Sequence, residues 1–318
     1  MALTTFDHDS RTEALTARER DVLQAVGRGL TVAEAATELA MSEVSVEGHL
    51  RGILLRLGLA VTPSAPPAPG PPLRLRVLGP LRAWRGEVPL NLGPVRQQAL
   101  LAALVLRRDV TVSRRELLDG VWGMEPPVAN VVPVYVYRLR TCLGAGDGRR
   151  DSVIGSDRGG YRFAGGGVWL DSTRVEEIAA EAGAAKRAGD LAAAVGGYAG
   201  ALELFRGEPL AGLPGPFAEG ERRRLTERRT ALLQEKLDGQ LRLGRHPEVI
   251  GELSALTSAH PYSEPLAALL MRALHSSGRR ADALGAFARL RHRLADDLGV
   301  EPSDVAHRAH QAVLRGDV

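Results

Sequence analysis

A few histidine and glycine residues stand at spacings that occur in metal and nucleotide sites, but none belongs to a complete site. His307 and His310 lie three residues apart in a helical pattern, and no cysteine or compact carboxylate cluster joins them, which disfavours a metal site. Gly144, Gly146 and Gly148 follow a predicted helix, whereas a dinucleotide fingerprint follows a strand. No GxxxxGK loop and no Ser-His-Asp or Cys-His arrangement can be identified. The sequence therefore predicts a protein that is not an enzyme and uses no cofactor.

Arginine is the residue type whose distribution points to a chemistry, namely the binding of phosphate. Of the 41 basic residues 39 are arginine, which codon bias in a GC-rich genome would explain on its own. Codon bias does not remove acidic residues from one segment, yet residues 71–165 hold 15 arginines against 8 acidic residues. Residues 1–60 hold 6 arginines against 9 acidic residues. The central segment therefore has the charge of a nucleic-acid-binding domain, and a randomly basic surface is the alternative.

Length and composition predict two or three folded domains and no membrane span. The chain has 318 residues, of which 44% are hydrophobic and 25% charged, as in ordinary soluble proteins. Apolar runs such as residues 100–106 are far shorter than the roughly 20 residues of a membrane span, and the first ten residues do not resemble a signal peptide. The single cysteine, Cys142, excludes an internal disulfide and suits a reducing cytoplasm, where we expect the protein to act.

Proline and glycine residues mark two boundaries along the chain. Residues 62–72 read TPSAPPAPGPP, and a proline-rich run of this kind favours an extended, semi-rigid spacer. Three consecutive glycines at 165–167 mark a softer boundary, after which the pattern is helical to the end. We therefore expect an N-terminal unit at 1–60, a linker at 61–72, a central domain at 73–165 and a C-terminal domain at 166–318.

The N-terminal unit has the pattern of three short helices joined by tight turns, which is typical of a helix-turn-helix fold. Thr16 with Glu19, and Thr31 with Glu34, have the spacing of capping boxes at the start of the first two helices. The third helix follows Ser42. Its apolar residues recur at helical spacing and are Val46, Leu50, Ile53, Leu54 and Leu57.

The run from Leu15 to Leu59 resembles the LuxR-type helix-turn-helix. The matching residues are Leu15, Thr16, Arg18, Glu19, Gly29, Leu30, Ala35, Ala36, Ser42, Val46, His49, Leu57 and Gly58. Glu47 stands where that family usually has a phosphate-seeking lysine, and the linker replaces the family's fourth helix. Gly48 and Gly52 either admit a close-packed partner helix or reflect relaxed selection. We expect residues 1–60 to bind DNA poorly alone and to modulate the central domain, by docking on it or by pairing subunits.

The central domain has the pattern of a winged helix, with short strands, three helices and a closing hairpin. Strands are predicted at 73–78, 81–84 and 88–92. One helix is predicted at 94–107, and a second begins after Ser113, whose capping-box partner is Glu116. A third helix is predicted from Asn130 to near Gly144. The hairpin strands are predicted at 152–155 and 161–163, with the tip at 156–160. Pro133 would then be the third residue of its helix, where a missing N–H costs no hydrogen bond.

The third predicted helix of this domain has two faces with different roles. Val132, Val136, Leu139 and Leu143 form one apolar stripe, which we assign to the core. We name the opposite side the reading face, and it consists of Val134, Tyr137, Arg138 and Thr141. One buried stripe opposite a polar, arginine-edged face suits a helix in the DNA major groove. The full set of candidate DNA-binding residues is Arg114, Arg115, Val134, Tyr137, Arg138, Arg140, Thr141 and Arg158, of which Arg114, Arg115 and Arg158 are candidate phosphate contacts.

Four motifs in this segment, LRVLGPLRAW, LLDGVWGMEPP, YVYRLR and GYRF, resemble the OmpR-like winged helix of the SARP family of antibiotic-pathway activators. The resemblance implies an activator that binds tandem direct repeats in promoters, often as a head-to-tail dimer, and recruits RNA polymerase. Gly123, Met124 and Glu125 are then a candidate polymerase-facing loop. Pro133 stands where this family usually has a polar residue, so the base contacts of the family cannot be transferred directly.

The C-terminal domain shows a repeat of helical pairs. Gly244, Val249 and Leu253 have the spacing of a helix-turn-helix repeat, and Gly278, Ala283 and Phe287 follow at a period of 34 residues. Gly189, Ala194 and Tyr198 show the pattern again before an inserted loop, GEPLAGLPGPF, and a longer helix from about Ala218 to Leu243. A 34-residue period is that of tetratricopeptide repeats. The run HPYSEPLAALLMRALHSSGRRADALGAFARLRHRLADDLGVEP resembles the bacterial transcriptional activation domain of SARP proteins.

The sequence thus predicts a mainly α fold with small sheets, in the order helix-turn-helix, winged helix and tetratricopeptide-like repeats. The favoured function is a sequence-specific DNA-binding activator of a specialised-metabolite gene cluster. The alternative is a repeat-based adaptor or sensor whose DNA-binding unit is vestigial. Steep salt dependence of duplex binding would favour the first over the second.

Overall fold

The computed structural model describes residues 16–28, 30–56, 72–125, 127, 131–144 and 152–317. The described residues form two compact units, one up to Ser172 together with Arg206–Arg224, the other Thr173–Phe205 with the chain from Leu225 onward. Asn130, Leu57 and nearly all of the predicted linker lie outside the described residues. Within the described part, no helix has the length and apolar character needed to cross a membrane.

The first unit begins with three helices, α1 (Ala17–Gly27), α2 (Val32–Glu38) and α3 (Glu43–Arg56). Both predicted capping boxes are confirmed, since each threonine hydroxyl accepts the N–H of its glutamate and each glutamate accepts the N–H of its threonine. Val22, Ala25, Val46, Leu50 and Ile53 form the buried core of the three helices. The predicted helix-turn-helix is therefore present.

A winged helix follows, with two sheets around three helices. Its first sheet contains β1 (Leu73–Arg76), β2 (Arg82–Arg85), β3 (Val88–Pro89) and β7 (Val168–Leu170), in the order β3-β2-β1-β7. Its helices are α4 (Val95–Val105), α5 (Arg114–Trp122) and α6 (Val132–Cys142). Its second sheet contains β4 (Thr111–Ser113), β5 (Ile154–Asp157) and β6 (Gly160–Phe163), in the order β4-β6-β5. In the first sheet β1 and β7 are parallel, and all other pairs are antiparallel.

Several predicted boundaries in this domain are corrected, and the strand predicted at 88–92 is only Val88–Pro89. The first strand ends at Arg76 and not at residue 78, because the N–H groups of Val77 and Leu78 donate to the carboxylate of Asp171 instead of a neighbouring strand. Helix α6 begins at Val132, so Pro133 is its second residue, and there too the missing N–H costs no hydrogen bond. The first hairpin strand ends at Asp157 and the second begins at Gly160, so the tip consists of Arg158 and Gly159 only.

The second unit consists of helices that pack on one another in succession. Helix α7 (Asp171–Arg187) leads into it. It is followed by α8 (Leu191–Glu203), α9 (Pro216–Arg242, of which residues 216–224 belong to the first unit), α10 (His246–Ala259), α11 (Glu264–Ser276), α12 (Arg280–Arg293), a π-helical turn (Leu294–Leu298) and α13 (Asp304–Arg315). The predicted long helix corresponds to α9. Gly189, Gly244 and Gly278 each have a positive φ just after a helix. The N–H of each following residue bonds the carbonyl five residues earlier, at 2.8–3.0 Å, so the same turn closes all three predicted repeats.

Candidate DNA-binding interface

Helix α6 has the two faces that its sequence predicts. Val132, Val136, Leu139 and Leu143 are buried in the winged helix, which confirms the predicted core stripe. On the other side, Tyr137 and Arg138 are half-buried and Thr141 is exposed, with its hydroxyl donating to the carbonyl of Tyr137 at 3.1 Å. The reading face thus exists as one side of a helix, and its surroundings decide what can reach it.

The N-terminal helices cover part of the reading face. Val134 is only 4% exposed, and it belongs to the apolar core of the N-terminal helices, with Val22 and Val26. Tyr137 packs against the same core. Helix α1 lies against α6 so closely that a Cβ added to Gly27 would stand 3.4 Å from Cγ of Pro133. Sequence patterns cannot show this contact, because more than one hundred residues separate the two helices in the chain.

The two arginines at the start of α5 are placed differently. The guanidinium of Arg114 donates a hydrogen bond to the carbonyl of Gly27, at the end of α1, and stands 5.9 Å from the ring centroid of Tyr161. The Arg115 side chain is 92% exposed, and its ion pair with Asp119 spans 3.7 Å. Exposed pairs of this kind stabilise a protein by less than about 1 kcal/mol. Arg115 is therefore available to a phosphate, whereas Arg114 is engaged with the N-terminal unit.

The capping box at the start of α5 fixes the direction of these side chains. Ser113 and Glu116 exchange hydrogen bonds between side chain and backbone, as the sequence predicts. The hydrogen bond from the Ser113 hydroxyl holds the pKa of Glu116 below its ordinary value. The carboxylate therefore stays ionised at the positive end of the helix dipole, which stabilises the first turn.

Arg138 and Arg140 follow each other by two residues on α6 and have different surroundings. Arg138 is half-buried, and loss of hydration lowers the pKa of its guanidinium from the ordinary value. Arg140 donates from Nε to the carbonyl of Ile154 and from Nη2 to Oγ of Ser156, both at 2.9 Å. Arg140 therefore holds the wing against α6, a positioning role that its place in the YVYRLR motif does not reveal.

The wing is a tight hairpin whose tip carries an exposed arginine. Arg158 and Gly159 form the turn, and Gly159 has a φ of +82°. Asp157 accepts hydrogen bonds from the Thr111 hydroxyl at 2.6 Å and the Arg158 N–H at 2.8 Å, and these bonds lower the pKa of its carboxyl. A Cβ on Gly160 would stand 2.2 Å from the carbonyl oxygen of Val112, so only glycine fits there. Sequence reasoning missed this requirement, although the paired glycines were its signal.

The loop after α5 holds the three residues that the resemblance assigns to a polymerase contact. Gly123 ends the helix with a φ of +65°, and a Cβ on it would stand 3.1 Å from Cγ of Pro216. Met124 is 98% exposed, and Glu125 is exposed beside it. A fully exposed methionine is a feature of adaptable protein-binding surfaces.

Two of the histidines and the cysteine, in the part of the chain that the structure describes, pack as ordinary structural residues. There, no group of three or more His, Cys, Asp or Glu side chains could hold a metal ion. His310 stacks on Phe287, with ring centroids 3.9 Å apart, and His307 packs on the same ring at 5.5 Å. Burial raises the pKa of the Cys142 thiol to about 11, so it is a poor nucleophile near neutral pH.

A helix-turn-helix, a winged helix with an arginine-tipped wing and a helical repeat, joined in one chain, define a DNA-binding transcriptional regulator. Three family models match in the same order: bacterial regulatory proteins of the luxR family at residues 13–63, the C-terminal domain of transcriptional regulatory proteins at 89–163, and the bacterial transcriptional activator domain at 170–314.

Similar proteins agree with this class. Regulatory protein DnrI of Streptomyces peucetius is 34% identical over 253 residues, 77% of this chain and 93% of DnrI. Regulatory protein AfsR of Streptomyces griseus is 43% identical over 258 residues, 80% of this chain but 26% of AfsR. The structure of Mycobacterium tuberculosis EmbR in complex with a low-affinity phosphopeptide matches with a TM-score of 0.72 at 32% identity, over 77% of this chain and 66% of that one. The chain belongs to the SARP family of transcriptional regulators, and it spans about a quarter of the length of AfsR.

Proposed function

We propose that this protein binds promoter DNA sequence-specifically through its winged helix and activates a specialised-metabolite gene cluster in the cytoplasm. The observation that carries the proposal is the winged helix itself, with Arg115 and Arg158 exposed on neighbouring segments: the N–H of Arg114 donates to the carbonyl of Gly159 at the wing tip. The excess of arginine over acidic residues in 71–165 supplies the long-range attraction to phosphate. The reading face would supply base contacts in the major groove.

Activation would require a contact with RNA polymerase, for which the loop of Gly123, Met124 and Glu125 is the candidate. The exposed Met124 supports this assignment, because covering a long apolar side chain by a partner removes it from water and lowers the free energy of the complex. Two copies of the chain would bind tandem direct repeats head to tail, as the family resemblance implies.

The alternative function is an adaptor or sensor whose winged helix no longer binds DNA. The burial of Val134 under the N-terminal helices favours it, because a reading face that is permanently covered cannot contact bases. The two functions differ in what they expect of the arginines at the edge of the domain, since phosphate binding must release counterions.

The test measures duplex binding by the full chain at several salt concentrations. A duplex is first selected from a random-sequence library, and its affinity is compared with that of a random duplex. Arg115→Ala should lower both affinities and reduce the slope of log affinity against log salt by about 1. Arg289→Ala, which removes an exposed arginine of the second unit, is the matched control and should leave the slope unchanged. A chain that enriches no duplex, or binds with a flat salt dependence, would establish the adaptor instead.

A further inference from the structure

Three separate contacts hold the N-terminal helices on the reading face of α6. The first is apolar: Val134 completes the core formed by Val22 and Val26, and Tyr137 packs beside it. A side chain that is 4% exposed has no surface left for a base edge. The N-terminal helices thus remove Val134 from solvent and cover part of Tyr137, two of the four residues of the reading face.

The second contact is polar and uses Arg114, which the sequence predicts as a phosphate contact. Arg114 donates to the carbonyl of Gly27, one of the last carbonyls of α1. The carbonyl of Gly27 lies at the negative end of the helix dipole, so it attracts a cation. The carbonyl of Gly27 therefore occupies Arg114 in the way that a phosphate oxygen would.

The third contact is a fit between a glycine and a proline. Gly27 is buried, and the atoms closest to a Cβ built on it are Cγ and Cβ of Pro133, at 3.4 and 3.8 Å. A Cβ at Gly27 would thus be in van der Waals contact with Pro133, so the end of α1 lies directly against the first turn of α6. Pro133 stands where the family usually has a polar residue. The contact with α1 therefore involves a position at which this chain differs from the family.

We propose, on the basis of the proposed function, that residues 16–56 are a built-in competitor of promoter DNA for the reading face. The major groove is about 12 Å wide and admits one helix, so α6 cannot enter it while α1 lies on the same face. The apparent affinity for DNA is then the intrinsic affinity multiplied by the fraction of molecules in which the N-terminal unit has left α6. Six arginines against nine acidic residues in 1–60 make phosphate repel this unit, which favours its departure once DNA approaches.

A reversible crosslink tests the competition directly in the full chain. The 3.8 Å between the Cβ positions of Gly27 and Pro133 is the usual Cβ separation of a disulfide. The double variant Gly27→Cys, Pro133→Cys is made in a Cys142→Ser background, and closure is verified by counting free thiols. The oxidised protein should bind the selected duplex more than about tenfold more weakly than the same protein after reduction.

A second pair of variants perturbs the contact without a crosslink. Gly27→Gln places a neutral side chain against Pro133 and should raise the affinity for the selected duplex several-fold. Gly48→Gln is the matched control, because a Cβ on this exposed glycine of α3 meets nothing within 4 Å, and it should change nothing.

The outcomes separate the inference from the function on which it rests. Equal binding by the oxidised and reduced forms, or a cysteine pair that does not oxidise, would overturn the competition and leave DNA binding intact. Absence of salt-dependent duplex binding in the reduced form and in Gly27→Gln would overturn the proposed function itself.

Discussion

Some side chains around the reading face bond to residues close in the sequence, and others bond to residues far away in the chain. Ser113 and Glu116 are three residues apart, and their exchange of hydrogen bonds is readable from the sequence because the helix geometry fixes it. Arg140 binds the carbonyl of Ile154, and Arg114 binds that of Gly27, 87 positions away. The sequence predicts that these arginines lie near the site, but only the tertiary structure assigns their partners.

Arg158 at the wing tip should act on all DNA sequences alike. Its side chain is exposed on a two-residue turn outside α6, and we expect it to contact a phosphate. Arg158→Ala should therefore weaken binding of selected and random duplexes by the same factor and lower the salt slope by about 1. The measurement is a titration at several salt concentrations, with Arg289→Ala as control. A slope equal to that of the wild type would remove Arg158 from the contacts.

Arg138 should act differently, because it edges the reading face. A bidentate contact to guanine is worth roughly 1–3 kcal/mol of discrimination, so Arg138→Ala should lower the affinity for the selected duplex by about 5- to 150-fold and relax specificity. Arg138→Lys keeps the charge but loses the planar fork. It should retain binding of the random duplex and lose preference for the selected one. Equal losses on both duplexes in Arg138→Ala would make Arg138 a phosphate contact.

At the scale of elements, helices were easier to predict than strands. The capping boxes and apolar spacing placed α1, α2 and α5, and the spacing of the glycines predicted the repeats, because these signals are local. The length of β1 depends instead on Asp171, which follows it by about one hundred residues in the chain and binds the N–H groups that would have extended the strand. No local pattern contains that information.

Asp171 should be the most important single carboxylate for the first unit. It is 1% exposed and accepts hydrogen bonds from the N–H groups of Val77, Leu78 and Ser172. Asp171→Ala leaves buried donors unpaired, at about 1–3 kcal/mol each, so the free energy of unfolding should fall by at least about 2 kcal/mol.

Tryptophan fluorescence during urea unfolding measures this change, because all three tryptophans of the chain, at 84, 122 and 169, lie in the first unit. Asp190→Ala is the matched control. This aspartate caps α8 in the second unit, where its carboxylate accepts from the N–H of Ala193 at 2.9 Å. Its loss should leave the tryptophan transition unchanged, and an equal shift in both variants would contradict the role of Asp171.

His310 should make the stability of the second unit depend on pH. Burial against Phe287 lowers the pKa of its imidazole, and the charges of His307 and Arg291 act in the same direction. The unfolded chain then binds a proton more readily than the folded one, so stability is full above about pH 6.5 and falls as the pH drops towards the folded pKa. Circular dichroism should show a lower melting temperature at pH 5.5 than at pH 7.5. His310→Gln should reduce this difference, and an undiminished difference would assign it to other groups.

At the scale of the whole molecule, the uneven charge is readable from the sequence, whereas the contact between its two DNA-binding folds is not. Composition alone separates an acidic N-terminal unit from a basic central one. The sequence leaves docking and pairing of subunits open, and the burial of Val134 under the N-terminal helices supports docking. Complementary surfaces on α1 and α6 arise from residues such as Gly27 and Pro133, whose types fit many structures and whose pairing follows only from the fold.

The negative charge of the N-terminal unit should weaken DNA binding, and added salt should screen this effect. Glu47 is exposed on α3, where the LuxR-type pattern has a lysine, and the unit as a whole is acidic. Glu47→Lys should raise the affinity for a random duplex, and Glu301→Lys, a charge reversal at an exposed residue of the second unit, should raise it less. The Debye length is about 8 Å at 0.15 M salt and about 30 Å at 0.01 M, so the gain should be largest at low salt and shrink as salt is added. A gain that persists unchanged at high salt would point to a specific new contact instead of relieved repulsion. Equal gains in both variants would mean that the total charge of the chain, and not its position on the N-terminal unit, governs approach to DNA.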